Sequence, residues 1–184
     1  MKTSGSLAVV ATLALLAGCS TVDGDVAASP DADASAHAHA VLAPASGSDV
    51  QGRLSLVGTD YGVRITGQIT GLEPGSTHGF HIHQNGDCSA PDASSAGGHF
   101  NPAHQPHGRA GVTPHHAGDI ANQTANDEGV ATVDVTVQDI ELGTGGPGDV
   151  LGRAIVVHAQ PDDYTSQPSG DAGARIACGV ITRD

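Results

Sequence analysis

The run Gly79-Phe80-His81-Ile82-His83 places two imidazoles two residues apart in a segment otherwise suited to a β-strand. Residues i and i+2 of a strand leave from the same face, so His81 and His83 offer their ring nitrogens to one place. The Gly- and Pro-rich segment that follows, Gln84 to Gly118, crowds in His99, His104, His107, His115 and His116. Asp119 stands just beyond it, and His158 ends a later strand-like run. A lone histidine is usually a hydrogen-bonded polar residue. A crowd of them beside a strand pair, with a carboxylate at hand, reads as metal binding. Imidazole suits zinc and copper, a carboxylate can complete a zinc site, and the all-oxygen sites of calcium and magnesium would not use these ligands. The number of candidates allows two adjacent ions.

The elements that must hold these ligands read as strands. Val50 to Gly58 and Tyr61 to Thr70 are rich in β-branched residues, with Thr59-Asp60 as a hairpin turn between them. Leu72 to Gly75 signals a turn into Thr77 to His83. Strands resume at Asp119 to Gln123, Gly129 to Val137, Val150 to His158 and Arg175 to Thr182. No segment has convincing helical periodicity. About eight short strands separated by turns predict an all-β fold, an antiparallel sandwich or barrel. Two long loops interrupt it, Gln84 to Gly118 and Ala159 to Ala174. A long structureless loop inside a compact domain signals function.

The N-terminus predicts export. Lys2, the apolar run Leu7 to Ala17 and the ending Leu16-Ala17-Gly18-Cys19 form a signal peptide over residues 1–18, too short to span a membrane as a helix. The ending LAGC resembles a bacterial lipobox, which implies a lipid on Cys19 and anchorage in the bacterial envelope, on the periplasmic side and at the outer membrane. Residues 19–40 lack hydrophobic periodicity and read as a disordered tether, with His37 and His39 as solvated tether residues. The domain is expected over 41–184. Of three cysteines, Cys88 and Cys178 remain as an even pair in an oxidising compartment, where a disulfide is the default. Seven basic against 20 acidic residues give a net charge of −13, which excludes nucleic acid as a partner and leaves membrane association to acyl chains. Monomer and homodimer both stay open.

Six segments together resemble the secreted copper,zinc superoxide dismutases of bacteria: HGFHIHQNGDC (His78 to Cys88), GGHFNP (Gly97 to Pro102), His107-Gly108, HHAGD (His115 to Asp119), GRAIVVH (Gly152 to His158) and GARIACGVI (Gly173 to Ile181). They occur in the family's order across essentially the whole expected domain. The resemblance implies an eight-stranded antiparallel Greek-key β-sandwich or barrel. It implies copper on His81, His83, His99 and His158, and zinc on His99, His107, His116 and Asp119, with His99 bridging the two. His115 is the rival for His116, but His116 has the family's setting before Gly-Asp. His78 matches a histidine with a hydrogen-bonding role, and His104 has no ligand counterpart. Asp162, with Asp163 as the alternative, matches the carboxylate that links a copper ligand to a zinc ligand.

The activity so implied is dismutation of superoxide to oxygen and hydrogen peroxide. His99 would relay a proton, and Arg175 would draw in the small anionic substrate. Copper can cycle between oxidation states and zinc cannot. The sequence departs from the eukaryotic members in a shorter second loop without lysine. Two rival readings are a non-enzymatic copper and zinc carrier, which needs no guiding cation, and a zinc hydrolase, which needs a free carboxylate base beside an open zinc position.

Overall fold

The computed structural model describes residues 1–2, 36–112 and 114–184. The expected cleavage site, Cys19 and most of the expected tether lie outside the described residues. Within the compact unit Ala34–Asp184 the strands are β1 (His37–Pro44), β2 (Gln51–Thr59), β3 (Gly62–Thr70), β4 (Thr77–His83), β5 (Asp119–Thr124), β6 (Ala131–Val137), β7 (Ala154–His158) and β8 (Arg175–Arg183). Among the described residues the helical structure is one 3-10 turn, Ser94–Ala96.

The strands run in the spatial order β5-β4-β7-β8-β1-β2-β3-β6, with every neighbouring pair antiparallel. The two edges, β5 and β6, come back into contact, so the sheet rolls into a nearly closed barrel. The alternation read in the sequence is what fills it. Leu54 and Leu56 from β2, Val63, Ile65 and Ile69 from β3, and Val133 from β6 point inward beside Phe80, Ile82, Ile155 and Val157. Removing a large aliphatic side chain from water contributes about 1.5–3 kcal/mol, so this inward face is the main source of stability.

Of the boundaries that differ from the sequence reading, three have a clear local reason. β1 starts at His37, inside the stretch expected to be tether. Ala38, Ala40 and Leu42 alternate inward and are buried, paired with Leu56, Leu54 and Gly52 of β2 and also with β8. Alanine has weak strand preference, so its burial between two strands was hidden in the composition. His39 lies on the outward face, with Nδ1 2.6 Å from a carboxylate oxygen of Asp184. The β2–β3 hairpin turns at Asp60-Tyr61, one residue later than expected, because Thr59 pairs with Gly62. β7 begins at Ala154 because Val150 to Arg153 form a turn, with the Arg153 N–H donating to Val150 O at 3.1 Å.

A disulfide joins Cys88 to Cys178 across a sequence separation of 90. It fastens the start of the first long loop to β8.

Candidate metal centre

β4 is buried on both faces, and the two faces do different work. Phe80 and Ile82 enter the barrel core, while His81 and His83 leave from the other side. The first long loop is laid against this strand by its backbone. Gln84 N–H donates to Gly98 O at 2.9 Å, Phe100 N–H to Ile82 O at 2.8 Å, Gly118 N–H to Phe100 O at 2.9 Å and Ile82 N–H to Gly118 O at 2.9 Å. That approach requires glycine at 118, where a Cβ would stand 2.2 Å from Ile82 O. Phe100 sits in the core beneath the Arg153 guanidinium, 4.0 Å from its ring centroid. His99, between two anchored residues, is thereby aimed at the histidines of β4, its ring centroid 4.1 Å from that of His81 and 5.0 Å from that of His83.

Ring nitrogens of His81, His83, His99 and His158 lie within 4.8 Å of one another, all four residues buried. The partners of the opposite nitrogens fix which atom faces inward. His81 Nε2 donates to Asp162 Oδ2 at 2.8 Å, His83 Nδ1 to Gly97 O at 2.9 Å and His158 Nδ1 to Gly173 O at 3.3 Å. The proton of each neutral ring is committed outward, which leaves a lone pair on the inner nitrogen. His83 Nε2 and His158 Nε2 face each other at 3.3 Å. His81 Nδ1 and His99 Nε2 are buried with no hydrogen-bond partner at all. Buried polar atoms normally find partners, and two orphaned imidazole nitrogens pointing into a nest of lone pairs fit a soft cation such as copper.

The second cluster comprises His99, His107, His116 and Asp119. Nδ1 of His99, His107 and His116 lie 2.7, 3.1 and 3.2 Å from the same oxygen, Asp119 Oδ1. The other carboxylate oxygen is held by the backbone N–H groups of His116 (2.8 Å) and Gly108 (3.1 Å). His107 has its Nε2 proton committed to Asp162 Oδ1 at 2.9 Å. Its Nδ1 would therefore set a lone pair against a carboxylate unless a cation stood between them. Three imidazoles and one carboxylate are a usual donor set for four-coordinate zinc.

The charges of these side chains agree with that division. Burial, together with the neighbouring histidines, drives His83 well below the ordinary imidazole value. Burial likewise takes His158 down to about 3 and His99 to about 4, against a partial restoring pull from Asp119. These rings are neutral donors. His107 goes the other way: burial opposes its charge, but hydrogen bonds to Asp119 and Asp162 outweigh it and raise the ring to about 9. Burial works against both carboxylates too. The imidazoles around Asp119, and those of His107 and His81 around Asp162, nevertheless hold each well below the usual range. Burial thus keeps His83, His99 and His158 uncharged, whereas His107 calls for positive charge.

Asp162 connects the halves, accepting from His81 through one oxygen and from His107 through the other. Asp163 faces solvent and serves a local turn, accepting from the Thr165 and Ser166 N–H groups. His115 stands outside both clusters: its Nδ1 donates to His116 O at 2.7 Å and its Nε2 lies 3.2 Å from Asp139. His104 is exposed. His78 donates from Nδ1 to His158 O at 2.8 Å and pairs through Nε2 with Ser76 Oγ at 2.6 Å, a tie between strands. Arg175, half-buried, donates to Ala93 O and Gly97 O, both at 2.6 Å. Gly97 O thus accepts from Arg175 and from His83, which puts the cation beside the first cluster. No residue type or spacing marks the backbone acceptors Gly97 and Gly173, nor Asn122 and Gln167, whose amides reach the site through backbone atoms.

The chain matches the family "Copper/zinc superoxide dismutase (SODC)" over residues 50–181. It is 42% identical over 147 residues to superoxide dismutase (Cu-Zn) 2 of Aquifex aeolicus (strain VF5), covering 78% of this chain and 85% of that one. It is 43% identical over 141 residues to superoxide dismutase (Cu-Zn) 2 of Mesembryanthemum crystallinum, covering 73% and 88%. Among solved structures, a double mutant of a SOD-like protein from Bacillus subtilis superposes with a TM-score of 0.72 at 39% identity, over 78% of this chain and 96% of that one.

Proposed function

The chain belongs to the copper/zinc superoxide dismutase family, and on that premise we propose which of its residues carry the reaction. The reaction itself converts two superoxide anions and two protons to dioxygen and hydrogen peroxide. In our assignment His81 Nδ1 and the Nε2 atoms of His83, His99 and His158 hold copper. Nδ1 of His99, His107 and His116 with Asp119 hold zinc. Bound copper supplies the one-electron couple, and bound zinc supplies fixed positive charge.

This chain's residues do the rest. Arg175 offers a permanent cation with planar donors to an incoming anion, and its two backbone acceptors keep it from swinging into solvent. His99 Nε2, buried and without a hydrogen-bond partner, would carry one of the two protons the reaction consumes whenever its lone pair is not engaged by copper, and would donate it to the product. Asp162 keeps the protons of His81 and His107 on the outward nitrogens, so the inner ones stay available. That pair of partnerless nitrogens, His81 Nδ1 and His99 Nε2, carries the ligand assignment. The hydrolase reading loses its base: both carboxylates of the centre are already engaged by imidazole nitrogens. The carrier reading gives Arg175 only its ties to Ala93 O and Gly97 O and no use for a cation beside the copper donors.

Metal analysis of the purified protein, paired with superoxide consumption by wild type and His83→Ala, tests the assignment. The expected outcome is one copper and one zinc per wild-type chain, and loss of copper with the activity in the variant. A His83→Ala protein that keeps both would refute it. We propose further that the protein is exported, cleaved before Cys19 and lipid-anchored through it in a bacterial envelope. The LAGC motif and the disulfide, at home in an oxidising compartment, support this. Cys19→Ser should then release the protein from the membrane fraction; a variant that stays in that fraction would contradict the anchor.

A further inference from the structure

The second long loop, residues 159–174, crosses the metal centre carrying Asp162, and two side-chain amides hold it there by the same device. The Asn122 amide on β5 clasps the backbone of Asp162: Asp162 N–H donates to Asn122 Oδ1 at 2.9 Å and Asn122 Nδ2 donates to Asp162 O at 2.9 Å. The Gln167 amide on the loop clasps the backbone of His107, where His107 N–H donates to Gln167 Oε1 at 2.9 Å and Gln167 Nε2 donates to His107 O at 2.9 Å. Both clasps satisfy a backbone donor and acceptor at once, so each fixes position and rotation of the residue it grips.

We propose that Gln167 is a positioning residue for the zinc half of the centre, acting through the backbone of His107; the proposal rests on the assignment of His107 as a zinc ligand. His107 belongs to an irregular loop, with no strand pairing to set its orientation. Its ring is fixed at Nε2 by Asp162 and its main chain by Gln167, and both belong to the same loop. Gln167 is itself exposed to solvent. A glutamine side chain forgoes up to about 1.5–2 kcal/mol of rotamer freedom when held, and only the amide tip is engaged. Close packing holds the ring end of the same residue: a Cβ at Gly170 would stand 2.7 Å from His107 Nε2 and closer still to Asp162 Oδ1. The device differs from a general loop staple because it acts on one ligand and on none of the four copper donors.

The test uses the fully loaded protein. Zinc is stripped by a chelator from wild type, Gln167→Ala, Gln167→Met and Asp163→Ala, with copper content followed in parallel, and the zinc half is refilled with cobalt to record its visible bands. Methionine keeps the length of the side chain without donor or acceptor, so it carries the test if the alanine variant fails to fold. Asp163→Ala loosens the neighbouring turn without touching His107. Partners beyond the ligand shell typically set 10–100-fold in metal affinity. Both Gln167 variants should therefore bind zinc at least about tenfold more weakly with shifted cobalt bands, while copper retention stays as in wild type. Asp163→Ala should leave zinc affinity and bands unchanged. Wild-type zinc binding in the Gln167 variants, or an equal loss in Asp163→Ala, would overturn the proposal. Cobalt bands that survive unchanged in His107→Ala would overturn the ligand assignment itself, and Gln167's role with it.

Discussion

Replacing Asp162 by asparagine should separate the two metals. The carboxylate accepts three protons: Oδ2 from His81 Nε2 at 2.8 Å, and Oδ1 from both His107 Nε2 at 2.9 Å and Tyr164 N at 2.6 Å. An asparagine has one oxygen to give. Putting its NH2 group at the Oδ1 position would set it against two donors, while putting it at the Oδ2 position opposes one. The oxygen therefore goes to His107 and the NH2 group meets His81. The His81 ring answers by moving its proton to Nδ1, where it blocks the atom assigned to copper, or by leaving a buried donor unpaired. An unsatisfied buried donor costs about 1–3 kcal/mol, which at 1.4 kcal/mol per tenfold predicts roughly 5- to 150-fold weaker copper binding, in line with the 10–100-fold typical of such partners. Zinc, reached through the preserved oxygen, should bind within about threefold of wild type by the same conversion for a change under 0.7 kcal/mol. Asp162→Ala, which removes both acceptors, should weaken both metals. Competition with a chelator for each metal measures the two affinities separately. An asparagine variant that loses copper and zinc alike, or neither, would refute the argument from the oxygen count.

Arg175→Ala should lower kcat/KM about tenfold, within the range of electrostatic steering, and flatten its dependence on salt while both metals remain; salt dependence equal to wild type would show that Arg175 guides nothing. Cys88→Ser opens a loop of separation 90, which by loop-closure entropy costs about 4–5 kcal/mol and is read as a lowered denaturant midpoint; a loss under about 1 kcal/mol would mean the loop is held otherwise. Asp149 accepts from the N–H groups of Gly143, Gly145 and Leu151, and although burial opposes, these bonds hold its carboxyl below the ordinary value. Its contribution is complete above an unfolded value of about 3.9 and fades as pH falls through the lower folded value. Protection of the Gly143 and Gly145 amides, taken relative to the intrinsic exchange rate at each pH, should fall only on that acid side; protection already lost at neutral pH would refute it.

Much of this molecule was legible in the sequence because strands and ligands leave periodic marks. The alternation in β2 and β3, and the His-Ile-His of β4, follow from a pleat that sends neighbours to opposite faces. What escaped lacked such a mark. β1 was obscured because alanines can be core when two strands flank them closely, a fact about neighbours and not about the residue. His115 and His116 are equivalent in type and adjacent. What separates them in the fold is that His116 stands three residues before Asp119 and receives its carboxylate, whereas His115 turns to Asp139. Asn122 and Gln167 were invisible for a different reason: an amide that grips a distant backbone is specified by tertiary approach alone.

The acidity of the chain poses a sharper question, since an anion must reach a protein of net charge −13. Exposed charges more than about 10 Å away are largely screened at physiological salt, so the local groups decide. Beside the cluster assigned to copper these are Arg175, which feels the exposed carboxylate of Asp92, and the imidazoles of His83 and His158, which burial keeps uncharged. The negative charge of Asp119 is directed into the cluster assigned to zinc, and that of Asp162 lies between the two clusters, each enclosed by histidine nitrogens. In the proposed assignment Arg175 supplies the attraction for an anion, offset in part by Asp92, with Asp119 and Asp162 enclosed by the rings they orient. The bridging position of His99 completes the division: its Nδ1 belongs to the acidic half and its Nε2 to the neutral one. A single ring thereby separates the charge that anchors the loop from the place where an anion has to arrive.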